Sequence, residues 1–107
     1  MPLYNKLVRD KIPLIIESNG KQYNARTLNE KDYRQALKSK LVEETEEYLQ
    51  AEKDSEAIEE LADILEVIKN IAAMHKSDIG EVENVREKKE KECGSFQDRI
   101  LLIEVED

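Results

Sequence analysis

Two carboxylate pairs, Glu44 with Glu47 and Glu60 with Asp63, stand at i, i+3 spacing in the middle of the chain. On a helix, side chains three apart are neighbours, with Cβ atoms roughly 5–6 Å apart. Packed helices lie about 8–10 Å apart, so two facing pairs can converge on one point. Carboxylates gathered there would repel by roughly 3 kcal/mol per pair at about 5 Å and an effective dielectric of about 20. Burial adds a desolvation cost. A positive group should therefore fill the gap. An all-oxygen set with no histidine or cysteine beside it suits a hard cation, Mg²⁺ first and Mn²⁺ second.

Two helices must position these acids. Asn29, with Asp32 three residues on, opens one that continues to about residue 51. Ser55, followed by Glu56 and Glu59, opens a second through about His75. At about 100° per residue with Leu37 at zero, Leu41 falls at about 40°, Tyr48 at about 20° and Tyr33 at about 320°. Glu44, at about 340°, projects from the centre of that apolar stripe, and Glu47, at about 280°, from its edge. On the second helix, with Ala57 at zero, the stripe Leu61, Ile64, Ile68, Ile71 and Ala72 spans roughly 320° through 60°. Glu60 projects at about 300°, inside the arc that Val67 extends, and Asp63 at about 240°, just outside it. A lone acid pair of this kind is ordinarily a solvated helix face. Two pairs set into or beside the apolar arcs of successive helices are harder to explain that way.

The flanking segments read more simply. Residues 10–17 form a short helix with Pro13 in its first turn, stopped by Asn19-Gly20. Residues 22–28 are expected to be extended. Residues 77–80 connect to a third long, highly charged helix over residues 81–92, which ends near Gly94. Residues 99–105 are expected as a short strand or extended tail. His75 sits at a helix end, where its charge complements the dipole. The class expected is all-α, a helical bundle with short extended segments at its N- and C-terminal ends.

Composition bounds the function. The chain has 107 residues, the size of one domain, and a net charge of −8. That charge argues against a nucleic-acid partner or an anionic membrane surface. No uninterrupted apolar run is longer than the four residues Ile100 to Ile103, against about 20 for a membrane span. One cysteine, Cys93, permits no internal disulfide, and the expected setting is the cytoplasm. The second helix is apolar over more than half its circumference. One hairpin and a short helix cannot cover it, so a homodimer or higher homo-oligomer is expected.

The stretch Glu43-Glu44-Thr45-Glu46-Glu47, followed after twelve intervening residues by Glu60-Leu61-Ala62-Asp63, resembles the E-x-x-E … E-x-x-D signature of the MazG-like all-α nucleoside triphosphate pyrophosphohydrolases. The opening Tyr4-Asn5-Lys6-Leu7-Val8-Arg9-Asp10-Lys11-Ile12-Pro13 resembles the start of a small single-domain, phosphoribosyl-ATP pyrophosphohydrolase-like subgroup. Arg86, Lys89, Gly94 and Phe96 resemble that subgroup's C-terminal pattern, although Cys93 and Ser95 stand where it has a basic residue and a second glycine.

The resemblance implies one MazG-like domain over residues 1–107. It implies Mg²⁺ held by Glu44, Glu47, Glu60 and Asp63, and cleavage of a nucleotide substrate between its α and β phosphates to a monophosphate and pyrophosphate. One of those acids, or Glu43 beside them, would accept a proton from water. Arg9, Lys40, Arg86 and Lys89 are the candidates to complement the substrate's phosphates. Nucleotide-pool house-cleaning is the expected role. Hydrolysis of phosphoribosyl-ATP in histidine synthesis and a non-catalytic helical interaction module are the alternatives.

Overall fold

The computed structural model describes residues 2–107. Four helices follow one another, α1 (Ile12–Ser18), α2 (Glu30–Gln50), α3 (Asp54–Met74) and α4 (Ile79–Cys93), and the described residues contain no strand. The chain is all-α, as its patterning requires. Residues 22–28 and 99–105, expected as extended or strand, carry no regular structure. A strand needs a neighbour to accept its backbone hydrogen bonds, and neither segment has one among the described residues.

Local chemistry sets the helix ends. Asn29 Oδ1 accepts the Asp32 N–H at 2.8 Å and starts α2 as expected. Asp78 Oδ1 accepts the Glu81 N–H at 2.8 Å, so α4 begins at Ile79, two residues before its expected start. α3 begins at Asp54 with Lys53 in the cap position, which corrects the assignment of that role to Ser55. No side chain caps it. The acids Asp54 and Glu56 in its first turn complement the dipole instead.

α1 stops in a Schellman turn: Gly20, at φ +75°, donates to Glu17, and Lys21 donates to Ile16. α3 stops the same way, with Lys76 N–H on Ala73 and Ser77 N–H on Ala72. Here the left-handed position, φ +58°, is filled by a lysine. Arg34 of α2 donates to the Met74 carbonyl at 3.0 Å, which brings a cation to this C-terminus. An L side chain at φ > 0 costs roughly 1–2 kcal/mol, partly offset by glycine's entropy when it is replaced. Lys76→Gly is therefore expected to raise the melting midpoint by a few degrees, about 4–8 °C for a full 1 kcal/mol. An unchanged or lower midpoint in a thermal melt would show that the turn is unstrained.

α2 and α3 pack as a helical hairpin, α4 touches α3, and α1 packs on no other helix. Leu37, Val67, Ala72 and Met74 are buried, and Glu44 is buried with them. Tyr48 and Leu61, expected in the apolar core, are 38% and 46% exposed. The stripe they belong to is wider than the single neighbouring helix can cover.

The exposed surface is correspondingly large. The accessible area is 10145 Å². A compact chain of this mass exposes roughly 6,100 Å². The radius of gyration is 18.3 Å. A domain of this length is ordinarily about 13 Å. No described helix is long and apolar enough to cross a membrane.

Candidate metal centre

The hairpin brings the acids of α2 and α3 to one place. Glu43, Glu44 and Glu47 each offer a carboxylate oxygen, and these oxygens lie within 4.8 Å of one another. Glu44, Glu60 and Asp63 do the same across the two helices. Glu44 belongs to both groups and is the pivot of the cluster. It is only 6% exposed. Its i, i+3 partner Glu47 is exposed, while Glu60 and Asp63 are half-buried.

Each of the two innermost acids has one oxygen without a hydrogen-bond partner. Glu44 Oε2 and Glu60 Oε2 are both shut off from solvent and unsatisfied. An unpaired buried carboxylate oxygen is among the costliest groups a fold can hold. Here two such oxygens lie in one acidic cluster, on neighbouring helices.

Three cations surround the cluster. Lys40, one turn before Glu44, lies 3.5 Å from both Glu43 and Glu44. Lys6 Nζ is 3.1 Å from Glu43 Oε1. Arg9 donates to Asp63 Oδ1 at 2.7 Å. Glu47 and Glu60 have no ion-pair partner among the described residues. Five carboxylates against three cations leave a formal local charge of −2, which one divalent cation would neutralise.

Proton affinities follow from this arrangement. Burial first, then the Glu47 and Glu44 carboxylates, push Glu60 up to about 7. Burial and Glu47 also raise Glu44. Burial pushes Glu43 upward too, but Lys6 and Lys40 outweigh it and hold that carboxyl below its ordinary value.

A carboxyl raised in the folded state binds protons more tightly than in the unfolded chain. Its stabilising contribution is present below the ordinary value of 4.5 and is lost as pH rises through about 7. The metal-free protein is thus expected to lose this part of its stability between about pH 5 and about pH 8. A divalent cation taken up here would have to displace the same proton, so its affinity should climb over that window. Thermal melts in chelator and in Mg²⁺ across the range check both signs. A metal-free melt that rises steadily to pH 8 would contradict the burial of Glu60.

Not every expected residue reaches the cluster. Lys40 and Arg9 do. Arg86 instead pairs within its own helix, donating to Glu83 at 2.8 Å and to Glu90 at 2.7 Å. Lys89, also exposed on α4, forms no ion pair with the acids. Lys6 reaches the site without having been anticipated. It stands 37 residues from Glu43, and no local pattern joins them. The one available signal was its place three residues before Arg9 in the opening segment.

No protein-family model, curated protein or solved structure matches the chain.

Proposed function

We propose that the chain is a Mg²⁺-dependent nucleotide pyrophosphohydrolase, cleaving between the α and β phosphates to give a monophosphate and pyrophosphate. The supporting observation is the two buried, unsatisfied oxygens, Glu44 Oε2 and Glu60 Oε2, in a cluster of residual charge −2. Glu44, Glu47, Glu60 and Asp63 are the residues that would hold Mg²⁺, with Mn²⁺ the nearest substitute. When bound, the ion would neutralise phosphate charge and acidify water.

The chain's own groups supply the rest. Glu43 is kept ionised by Lys6 and Lys40 and is available to accept the proton of attacking water. The water oxygen bonds to the α phosphorus, the α–β bridging bond breaks, and pyrophosphate leaves with the bridging oxygen. Lys40, beside Glu44, and Arg9, beside Asp63, are placed to complement phosphate oxygens as the acids take up the metal. Arg86 and Lys89 would reach phosphate only through movement of α4 or from another copy.

The proposed assembly is a homodimer. Ile58, Leu61 and Leu65 form an exposed apolar stripe along α3, and Val42 and Leu49 lie exposed on α2. Each chain exposes roughly 4,000 Å² more than a compact chain of its mass, ample for the roughly 2,000–5,000 Å² in total that two obligate subunits bury.

Pyrophosphate release from a panel of nucleotides, phosphoribosyl-ATP among them, with and without Mg²⁺, tests the function. Release from ordinary triphosphates identifies pool cleaning. Release from phosphoribosyl-ATP alone assigns the histidine-synthesis reaction. No release from any of them leaves a non-catalytic helical module.

A further inference from the structure

Residues 2–9 are exposed except Leu7 and form no helix or strand, and no backbone N–H of the segment is bonded within a regular element. Two side chains nevertheless tie it to the acid cluster, Lys6 on α2 through Glu43 and Arg9 on α3 through Asp63. Both cations are about half exposed, at 51% and 57%. One side of each is therefore open to a solution ligand. The segment thus bridges the two helices that carry the acids: Arg9 sits on Asp63, one of the four carboxylates that would hold a metal, and Lys6 on Glu43 beside them.

We infer that Lys6 and Arg9 exchange partners during loading: in the metal-free protein Arg9 holds Asp63 and Lys6 holds Glu43, a divalent cation displaces Arg9 from Asp63, and both cations then contact the substrate's phosphate chain, which frees Glu43. This rests on the metal-centre reading above. The physical reason is competition. Asp63 cannot give its Oδ1 fully both to Arg9 at 2.7 Å and to a small hard cation. Once Arg9 is displaced, it stands tethered beside the site without a carboxylate partner, next to the half-exposed Lys6. A polyphosphate is the anion that would then arrive. The segment acts as a gate that gives up metal affinity in the empty state in return for grip on the phosphates in the loaded one.

The signature is a pair of opposite changes in one variant. In Lys6→Gln/Arg9→Gln the competing ion pairs are gone, so Mg²⁺ should bind more tightly. An exposed pair contributes a factor of about 1.4 to 5 in an equilibrium constant, and the one pair that involves a metal ligand, Arg9 with Asp63, sets a gain of that size. The same variant should bind a Mg²⁺-loaded triphosphate, with an imido group bridging its α and β phosphorus atoms, several-fold more weakly. Lys11→Gln/Lys21→Gln removes the same charge from exposed positions with no acid contact, and should shift neither affinity comparably.

Titration calorimetry with Mg²⁺ and then with the imido nucleotide reads both. A second readout uses the parent protein alone. Trypsin cleavage after Lys6, referred to cleavage after the exposed Arg26, should speed up when Mg²⁺ is added and slow again when the imido nucleotide follows. Tighter metal with weaker nucleotide, absent in the Lys11/Lys21 control, establishes the exchange. Equal Mg²⁺ affinity in variant and parent overturns it while leaving the metal centre standing. The same change in the control reduces it to general charge and also overturns it. Failure of either protein to bind Mg²⁺ defeats the metal-centre reading, and the exchange with it.

Discussion

Glu44→Gln is expected to abolish pyrophosphate release, by well over about 100-fold, since residues merely supporting a metal ligand already cost about 10–100-fold when lost. The same substitution should not weaken the metal-free fold. Glu44 is 6% exposed, has one unsatisfied oxygen and neighbours Glu47, Glu60 and Asp63. An amide of the same shape removes one negative charge from that cluster, and its nitrogen can donate to the Glu47 carboxylate that now faces Glu44. A gain of about 1 kcal/mol would raise the midpoint by roughly 4–8 °C. Mg²⁺ at about 100 times its dissociation constant is expected to stabilise the parent by about 2.7 kcal/mol, and the variant far less. Leu37→Ala supplies the contrast. Leu37 is 3% exposed on the same stripe, and its truncation should cost roughly 2–5 kcal/mol whether or not metal is present. Full activity in Glu44→Gln, or equal stabilisation of both proteins by Mg²⁺, would remove Glu44 from the metal centre.

Light scattering is expected to give a mass of twice the chain's 12.4 kDa at micromolar concentration. Leu65→Glu should split that species. Leu65 is 54% exposed in the single chain, one turn after Leu61 on the face of α3 that also carries Ile58. If a second copy covers it, each copy loses roughly 1.5–3 kcal/mol of apolar burial, and the loss counts twice in a symmetric pair. The dissociation constant should then rise at least about 100-fold, with a lower and concentration-dependent melting midpoint. A monodisperse 12.4 kDa parent, or a Leu65→Glu variant of unchanged mass and midpoint, would falsify the assembly.

Much of this molecule is written in local sequence, because helices are local objects. Asn29 starts α2, Gly20 ends α1 and Gly94, at φ +84°, ends α4, each through bonds spanning a few residues. The acid cluster is legible for the same reason. The i, i+3 spacing places Glu44 and Glu47 on one helix face and Glu60 and Asp63 on another, and the short Ala51 to Lys53 link leaves the two helices little choice but to face each other.

Two of the features that failed to show are non-local. A helical projection gives the direction in which Tyr48 and Leu61 point but not what covers them, and the single chain leaves both exposed. Lys6 reaches Glu43 through a segment without secondary structure, so no periodicity announces it. Arg86 is a local case: its positive charge suits a phosphate, but its own helix already uses it. Glu83 and Glu90, three and four residues either side, bind it within α4. Ser55 looked like a helix cap, yet Asp54 already lies inside α3.

The central claim is a reaction with a defined bond broken, and phosphorus NMR of the products tests it most directly. Incubation of the parent protein with a nucleoside triphosphate and Mg²⁺ should give the monophosphate and intact pyrophosphate resonances in equal amounts, with no signal growth in chelator. In water enriched with ¹⁸O, the label should enter the monophosphate, as attack at the α phosphorus requires. Appearance of a diphosphate with inorganic phosphate, or of label in pyrophosphate alone, would contradict the account. So would an unchanged spectrum across the whole nucleotide panel with Mg²⁺ or Mn²⁺ present.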